Sequence, residues 1–245
     1  MSRILITGSA DGLGQMAAKE LIKRDHQVVL HARNESRAKD VLSEVPGAET
    51  VLIADLSSIE ETRKLADKIN ALGRFDAIIH NAGVYRVSPQ QILNVNTLAP
   101  YILTCLVSAR RLVYLSTGMH FSGDASLQGL KNNPPKAIYS DSKLHDLMLA
   151  KAVAKRFSDV YANAVDPGWV ATKMGGAGAP DDLQKGYETQ VWLAVSNDPK
   201  ALVSGKYFHH QRETNYQVRS DDAAVQDEFL RLCEKISGVP FPTAG

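Results

Sequence analysis

Residues 4–14 read Ile4-Leu5-Ile6-Thr7-Gly8-Ser9-Ala10-Asp11-Gly12-Leu13-Gly14. The first four are β-branched or Leu and predict a strand over 4–7, and the glycines that follow allow a sharp turn. Leu13, Ala17 and Leu21 then recur at helical spacing. A strand that passes through a glycine turn straight into a helix brings backbone N–H groups and the positive end of a helix to one point. With no bulky side chains in the way, the turn can lie against a phosphate. The stretch therefore predicts a nucleotide site whose turn is Gly8, Ser9, Asp11, Gly12 and Leu13, at the head of a βαβ series.

The rest of the chain repeats the alternation. Further strands are predicted over 28–31, 50–53, 77–80, 112–115, 162–165 and 206–209. Most are apolar throughout rather than alternating, as strands covered by helices on both faces must be. A second helix is predicted to open at Ser57, with Glu60 completing a capping box. Leu144, Leu147, Met148 and Lys151 continue a longer helix that begins near Tyr139. Residues 175–180 (Gly-Gly-Ala-Gly-Ala-Pro) read as a flexible loop, and three glycines in four positions give it the freedom of a lid. There is no internal repeat and no shift in composition. The expected architecture is α/β: a doubly wound parallel sheet of about seven strands with helices on both faces, in one domain over 1–245.

Composition narrows the function classes. Of 245 residues, 44% are hydrophobic and 22% charged, and 28 Lys and Arg against 27 Asp and Glu leave a net charge of +1. That balance gives no field to attract nucleic acid or an anionic membrane. No apolar run approaches the roughly 20 residues of a membrane span, and the first residues already form a strand, leaving no room for a signal peptide. A cytoplasmic location is expected. Cys105 and Cys233 lie far from any Cys or His at metal-ligand spacing and read as free thiols. His209 and His210 are adjacent on a predicted strand and so point apart, which argues against a metal site.

Tyr139 and Lys143 are four apart, so a helix puts them on one face. An ammonium beside a phenol favours the phenolate and draws its pKa from near 10 towards neutrality, which suits acid–base work. With eight tyrosines in the chain such pairs arise by accident, and position decides: this one follows the fifth predicted strand.

The glycine spacing Gly-x-x-x-Gly-x-Gly resembles that of the short-chain dehydrogenase/reductase family, and further matches follow in that family's order. They are Asp55-Leu56, Asn81-Ala82-Gly83, Asn94-Val95-Asn96-Thr97, Ser116-Thr117, Tyr139-Ser140-Asp141-Ser142-Lys143 and Pro167-Gly168-Trp169-Val170-Ala171-Thr172. Ser116–His120 and Tyr139–Leu144 look most like the retinol-dehydrogenase-like branch. The resemblance implies a Rossmann fold and hydride transfer between a nicotinamide and a carbonyl or hydroxyl carbon of a small or medium, largely apolar substrate.

It also implies roles. Tyr139 would be the acid–base group, Lys143 would hold the phenol and the nicotinamide ribose, and Asn96 would hold a helix kink and a water. Asp55 and Leu56 would meet the adenine, while Asn81, Ala82 and Gly83 would meet its ribose. Pro167, Gly168, Val170 and Thr172 would face the carboxamide. The family ends its fifth strand with two serines, of which the second faces the site. That register makes Thr117 the substrate-orienting hydroxyl, and a shift of one residue would give the part to Ser116. Where NAD enzymes carry a ribose-binding carboxylate, this chain has Ala32 followed by Arg33, so NADP(H) is expected in preference to NAD(H). Met119, His120, Trp169 and Met174 are open between pocket lining and packing.

Two spacings depart from the family's. From Asn96 to Thr117 is short and from Thr117 to Tyr139 is long, which disturbs both helices of the usual dimer contact. A monomer or a non-standard homodimer is expected. Two rival functions keep the same fold: a catalytically silent NADP(H) sensor, which would lose the Tyr or Lys retained here, and an epimerase or dehydratase that recycles its cofactor.

Overall fold

The computed structural model describes residues 1–243; of the unit predicted over 1–245, residues 244 and 245 lie outside the described residues. The strands are β1 (Arg3–Ile6), β2 (Gln27–Ala32), β3 (Thr50–Ile53), β4 (Phe75–His80), β5 (Ala109–Leu115), β6 (Tyr161–Asp166), β7 (Tyr207–His209) and β8 (Arg212–Glu213). They form one sheet in the order β3-β2-β1-β4-β5-β6-β7-β8. The first seven pair in parallel, and β8 adds a short antiparallel edge to the seven expected. The order reverses between β1 and β4, and a crevice opens there at the carboxyl ends of the strands.

The helices are α1 (Gly12–Lys23), α2 (Glu35–Glu44), α3 (Ile59–Ala71), α4 (Pro89–Ile92), α5 (Ala99–Leu106), α6 (Gln128–Lys131), α7 (Tyr139–Arg156), α8 (Leu183–Val195) and α9 (Ala223–Ser237). A π-helical stretch, Leu93–Leu98, joins α4 to α5. Successive side chains of a strand leave opposite faces, and both faces of this sheet are covered. Ile4, Ile6, Val28 and Leu30 pack with Ala17 and Leu21 of α1, Val41 of α2 and Val191 of α8. Leu5, Val29 and Ile78 pack on the other side with Leu65 of α3, Ile102 of α5, Leu147 of α7 and Phe229 of α9. Two-sided burial is the reason the strands are apolar throughout. Among the described residues no helix is long and apolar enough to cross a membrane.

Three local expectations are corrected. Helix α2 precedes the helix predicted as second; it opens on Asn34, whose side chain accepts from Arg37 N. It buries only Ala38 and Val41, too few apolar positions to register as a period. Helix α3 is capped by Ser58, not Ser57: the Ser58 side chain accepts from Glu61 N. Glu61 takes the Asp55 N–H at 2.7 Å, so there is no reciprocal box. Third, His209 and His210 do not point apart. β7 ends at His209, and His210 and Gln211 take left-handed backbone in the turn to β8, so the two rings stack with centroids 3.7 Å apart. Among the described residues no cluster of three His, Cys, Asp or Glu could hold a metal.

The corrected cap makes a prediction. Ser58→Ala removes the acceptor of an α3 N–H and should lower stability by about 1 kcal/mol in urea unfolding. Ser57→Ala should cost less than half of that; equal losses would return the cap to Ser57.

Candidate active site

The crevice at the strand reversal is a cleft of about 640 Å³, walled by the carboxyl ends of β1, β2, β4 and β5 and by the loops after β3 and β6. Its floor is set by the glycine turn. Gly8 has φ +62°, and a Cβ there would stand 2.7 Å from Ala82 Cα, so only glycine lets the turn after β1 pass the turn after β4. Asn81 ties the two together: its Nδ2 donates to the carbonyls of Thr7 and Gly8, each at 3.0 Å. Thr7 Oγ1 accepts from Ala82 N at 3.1 Å.

His31, at the end of β2, braces this turn from the other side. Gly8 N–H donates to His31 Nδ1 at 3.0 Å, and Nε2 lies 3.0 Å from the Ala54 carbonyl. A carbonyl only accepts, so Nε2 carries the proton and the ring is neutral. Burial pushes its pKa down to about 4, against a smaller upward pull from Ala54 and Asp55.

At the outer end stand two arginines. The exposed Arg33 lines the cleft. Arg37, from the first turn of α2, donates to the Ala10 carbonyl at 2.7 Å and to Asp11 Oδ2 at 3.1 Å. Asp11 caps α1 through Gly12 N and also pairs with Lys173 from the loop after β6. Burial pushes the Asp11 carboxyl up, but Lys173, the Gly12 N–H and Arg37 together hold it below the ordinary carboxylate range. Asp55 and Leu56 lie on the same wall, with Asp55 Oδ1 taking the Ser57 N–H.

The inner end is built on α7. Tyr139 sits in its first turn, its ring tilted against Tyr85 at 4.8 Å and its hydroxyl 3.7 Å from Met174 Sδ. Lys143 is buried, with Nζ 5.6 Å from the centre of the Tyr139 ring. That Nζ donates to the Leu115 carbonyl at 2.6 Å and to Asp146 Oδ2 at 2.8 Å. The expected downward pull on the phenol is overcome. Burial raises the Tyr139 pKa, Lys143 opposes it, and Asp146 adds to the rise.

Ser116 Oγ donates to the Lys143 carbonyl at 2.7 Å, fixing the helix on the end of β5. Thr117 Oγ1 accepts from Met119 N at 2.8 Å, which leaves its own proton free to donate. Both residues line the cleft.

Most residues singled out in the sequence meet here: Gly8, Asp11, Gly12, Leu13, Arg33, Asp55, Leu56, Asn81, Ala82, Gly83, Ser116, Thr117, Tyr139, Lys143, Pro167 and Thr172 all line one cleft. Four stand behind its wall. Ser9 is fully buried, its Oγ accepting from His31 N. Asn96 lies inside the π-helical stretch, accepting from Val84 N and donating to the Val84 carbonyl and Ser142 Oγ. It thus ties the loop after β4 to α7 at a break in helical regularity. Gly168 and Val170 shape the turn below Thr172, whose N–H bonds the Val170 carbonyl at 2.8 Å.

Among the residues left open, Met174 lines the cleft. His120 is a packing residue, with Nδ1 on the Thr117 carbonyl and Nε2 accepting from Gln217 N. The sequence reading missed His31, Arg37, Val84, Gln91, Val95 and Lys173. Arg37 carried a signal, one helical turn beyond Arg33 and just after a capping Asn. The others reach the cleft through the fold alone.

A family model described as short chain dehydrogenase matches residues 2–182. An uncharacterized oxidoreductase of Emericella nidulans is 43% identical, over 99% of this chain and 99% of its own. A solved structure of an uncharacterized protein from Mycobacterium paratuberculosis superposes with TM-score 0.81 at 24% identity, over 99% of this chain and 95% of that one. A short-chain dehydrogenase from Shigella flexneri, solved complexed with NADP, gives TM-score 0.67 at 25% identity, over 86% and 97%.

The neutral His31 makes the turn acid-sensitive. Its pKa is depressed from 6.5 to about 4 on folding, so the stability it lends is complete above about pH 6.5 and is lost as pH falls from there towards 4. Wild type should lose about 3 kcal/mol more than His31→Asn across that window, measured by urea unfolding. Parallel losses would show that the ring is protonated without penalty.

Proposed function

The chain belongs to the short-chain dehydrogenase/reductase family, and on that footing we propose that it is an NADP(H)-dependent oxidoreductase acting on a small or medium, largely apolar carbonyl or alcohol. One observation carries the reading: Tyr139, Lys143 and a Thr117 hydroxyl whose proton is free to donate meet at the inner end of a cleft whose outer end carries Arg33 and Arg37.

The residues present fit a dinucleotide. A Cβ on Gly8 would strike Ala82 Cα, so glycine alone lets the turn lie flat on the cleft floor, and the cleft runs from the two arginines past the N-terminus of α1 to Tyr139. Gly8, Gly12 and Leu13 would meet the pyrophosphate, with Ser9 holding the turn from behind. Asp55, Leu56, Asn81, Ala82 and Gly83 would line the adenosine. Pro167, Gly168, Val170 and Thr172 would take the carboxamide end. A 2′-phosphate would lie beside Arg33 and Arg37, with no carboxylate at Ala32 to repel it. Asp11 does not oppose that charge, because Arg37 and Lys173 already neutralise it.

The nicotinamide supplies or accepts a hydride when bound; the proton chemistry belongs to the chain. Tyr139 donates to the substrate oxygen in reduction and accepts from it in oxidation. Thr117 holds that oxygen with the proton it still has to give, whereas Ser116 is committed to the Lys143 carbonyl. Lys143 positions the phenol and offers its remaining N–H towards the ribose. Asn96 holds the π turn that seats the loop after β4 against α7. Tyr85 and Met174 flank the phenol and make its approach apolar, which favours an apolar substrate. Residues 175–180 act as the lid. The inserted residues between Thr117 and Tyr139 pack on α7 and α9, which favours a monomer or a non-standard homodimer.

Two outcomes are expected. Arg33→Ala and Arg37→Ala should each lower the NADPH-to-NADH ratio of kcat/KM by about 10–100-fold, the worth of a charged hydrogen bond. A carbonyl panel followed at the nicotinamide absorbance measures it, and an unchanged ratio rejects the phosphate site.

With the same panel, Tyr139→Phe should lose about 10²–10⁴-fold in turnover while still binding NADPH, read as a change in its fluorescence. Thr117→Val should lose about 10²-fold or more and Ser116→Ala only a few-fold. If Ser116→Ala is crippled and Thr117→Val healthy, the orienting hydroxyl is Ser116.

A further inference from the structure

Asp146 lies one helical turn beyond Lys143 on α7, 3% exposed against 4% for the lysine. Its Oδ2 accepts from Lys143 Nζ at 2.8 Å, and the ammonium gives a second hydrogen bond to the Leu115 carbonyl. Both side chains are almost wholly buried, and each charge lies directly against the other. A lysine serving solely to draw the phenol towards phenolate would be poorly placed beside a buried carboxylate. Nζ is 5.6 Å from the Tyr139 ring centre and Oδ2 is 2.8 Å from Nζ. The carboxylate is therefore no farther from the ring than those two lengths end to end. As Coulomb potentials fall with distance, it cancels more than half of the ammonium's potential there, whatever uniform dielectric applies.

We propose that Asp146 is a positioning residue that acts on catalysis through Lys143, its carboxylate cancelling the ammonium's field at Tyr139 so that the site holds a phenol and works as a proton donor, in the direction of carbonyl reduction. The proposal rests on the reading of Tyr139 and Lys143 as the acid–base pair. In that direction the carbonyl carbon gains a hydride from NADPH and its oxygen gains the Tyr139 proton. An alcohol and NADP⁺ result, and solvent restores the proton to Tyr139.

The other groups around the pair leave this balance in place. Lys143 itself is held up by Asp146 against the downward push of burial. Burial pushes the Asp146 carboxyl up, and the Lys143 ammonium against its Oδ2 opposes that rise and favours the anion. On α7 His145 is neutral, its pKa pushed down to about 3 by burial. Tyr114 on β5 is pushed up by burial, and His80, stacked on it from β4, is pushed down to about 3. His120, in the 3₁₀ turn after Thr117, is also lowered by burial. Asp166 at the end of β6 and Tyr85 from the loop after β4 both act on Tyr139 in the same sense as Asp146. Among these described residues, Lys143 alone acts on Tyr139 in favour of the phenolate, and Asp146 is bonded to it.

The test reads the phenol itself. The near-ultraviolet phenolate absorbance of the cofactor-free enzyme is titrated against pH, and Tyr139→Phe is subtracted to isolate Tyr139. In Asp146→Asn, which keeps the shape and a hydrogen-bond acceptor, the Tyr139 midpoint should fall by about one pH unit or more. Asp146→Glu should hold it near the wild-type value. An unchanged or higher midpoint in Asp146→Asn overturns the proposal. If that variant does not fold, Asp146→Ser carries the same expectation. Failure of both neutral variants to fold also overturns it, by making the carboxylate a requirement of folding. The titration needs no substrate, so a carbonyl panel that consumes no NADPH would sink the proposed activity without deciding this question.

Discussion

Asn81 reaches back across the strand reversal and binds the carbonyls of Thr7 and Gly8, while Thr7 N–H and Oγ1 bind Ile79 and Ala82 in return. The two turns that form the floor of the cleft are thereby locked together at the point where β1 and β4 part company. Everything on the nucleotide side hangs from this lock. It fixes where α1 begins, and its closeness demands glycine at position 8. It also leaves the Gly8 N–H to be taken by His31, which carries the constraint to the end of β2 and the Arg33 corner.

The other half of the site depends on how α7 is held to the sheet. Ser116 Oγ binds the Lys143 carbonyl and Lys143 Nζ binds the Leu115 carbonyl, a reciprocal pair that seats the first turns of α7 on the end of β5. Asn96 adds a third tie, from a π-helical stretch to the loop after β4 and to Ser142 of α7. These contacts set the distance between Tyr139 and Thr117. They also bury an ammonium, which is tolerable in an apolar interior only beside an opposite charge. Asp146 supplies that charge, and in doing so changes what the lysine does to the phenol. The packing requirement and the acid–base behaviour of the site are one and the same problem.

The sequence was legible wherever a single local rule decided the outcome. Two-sided burial makes strands apolar throughout, so β1 to β7 could be read from their composition, and the glycine turn between β1 and α1 could be read from its residues. The Tyr139–Lys143 face followed from helical periodicity. The failures are of a different kind. Helix α2 buries too little to show a period, and of two adjacent serines it is Ser58, not Ser57, whose side chain takes the Glu61 N–H at the start of α3. The two histidines at 209 and 210 stack because the strand ends between them.

By itself the sequence determined the order of the strands, the parallel sheet, the glycine turn and the shared helix face of Tyr139 and Lys143, because each rests on periodicity or on the conformational needs of a few adjacent residues. The tertiary structure alone decided how those residues act on one another. Ser116 and Thr117 are chemically alike on paper, and they differ because one hydroxyl meets the Lys143 carbonyl and the other meets an N–H. Lys143 looks like a simple activator of Tyr139 until the fold excludes water from it and places Asp146 against it. Burial and the angle at which partners approach set the protonation and hydrogen-bonding state of a polar group, and neither is a property of the residues nearest to it in the chain.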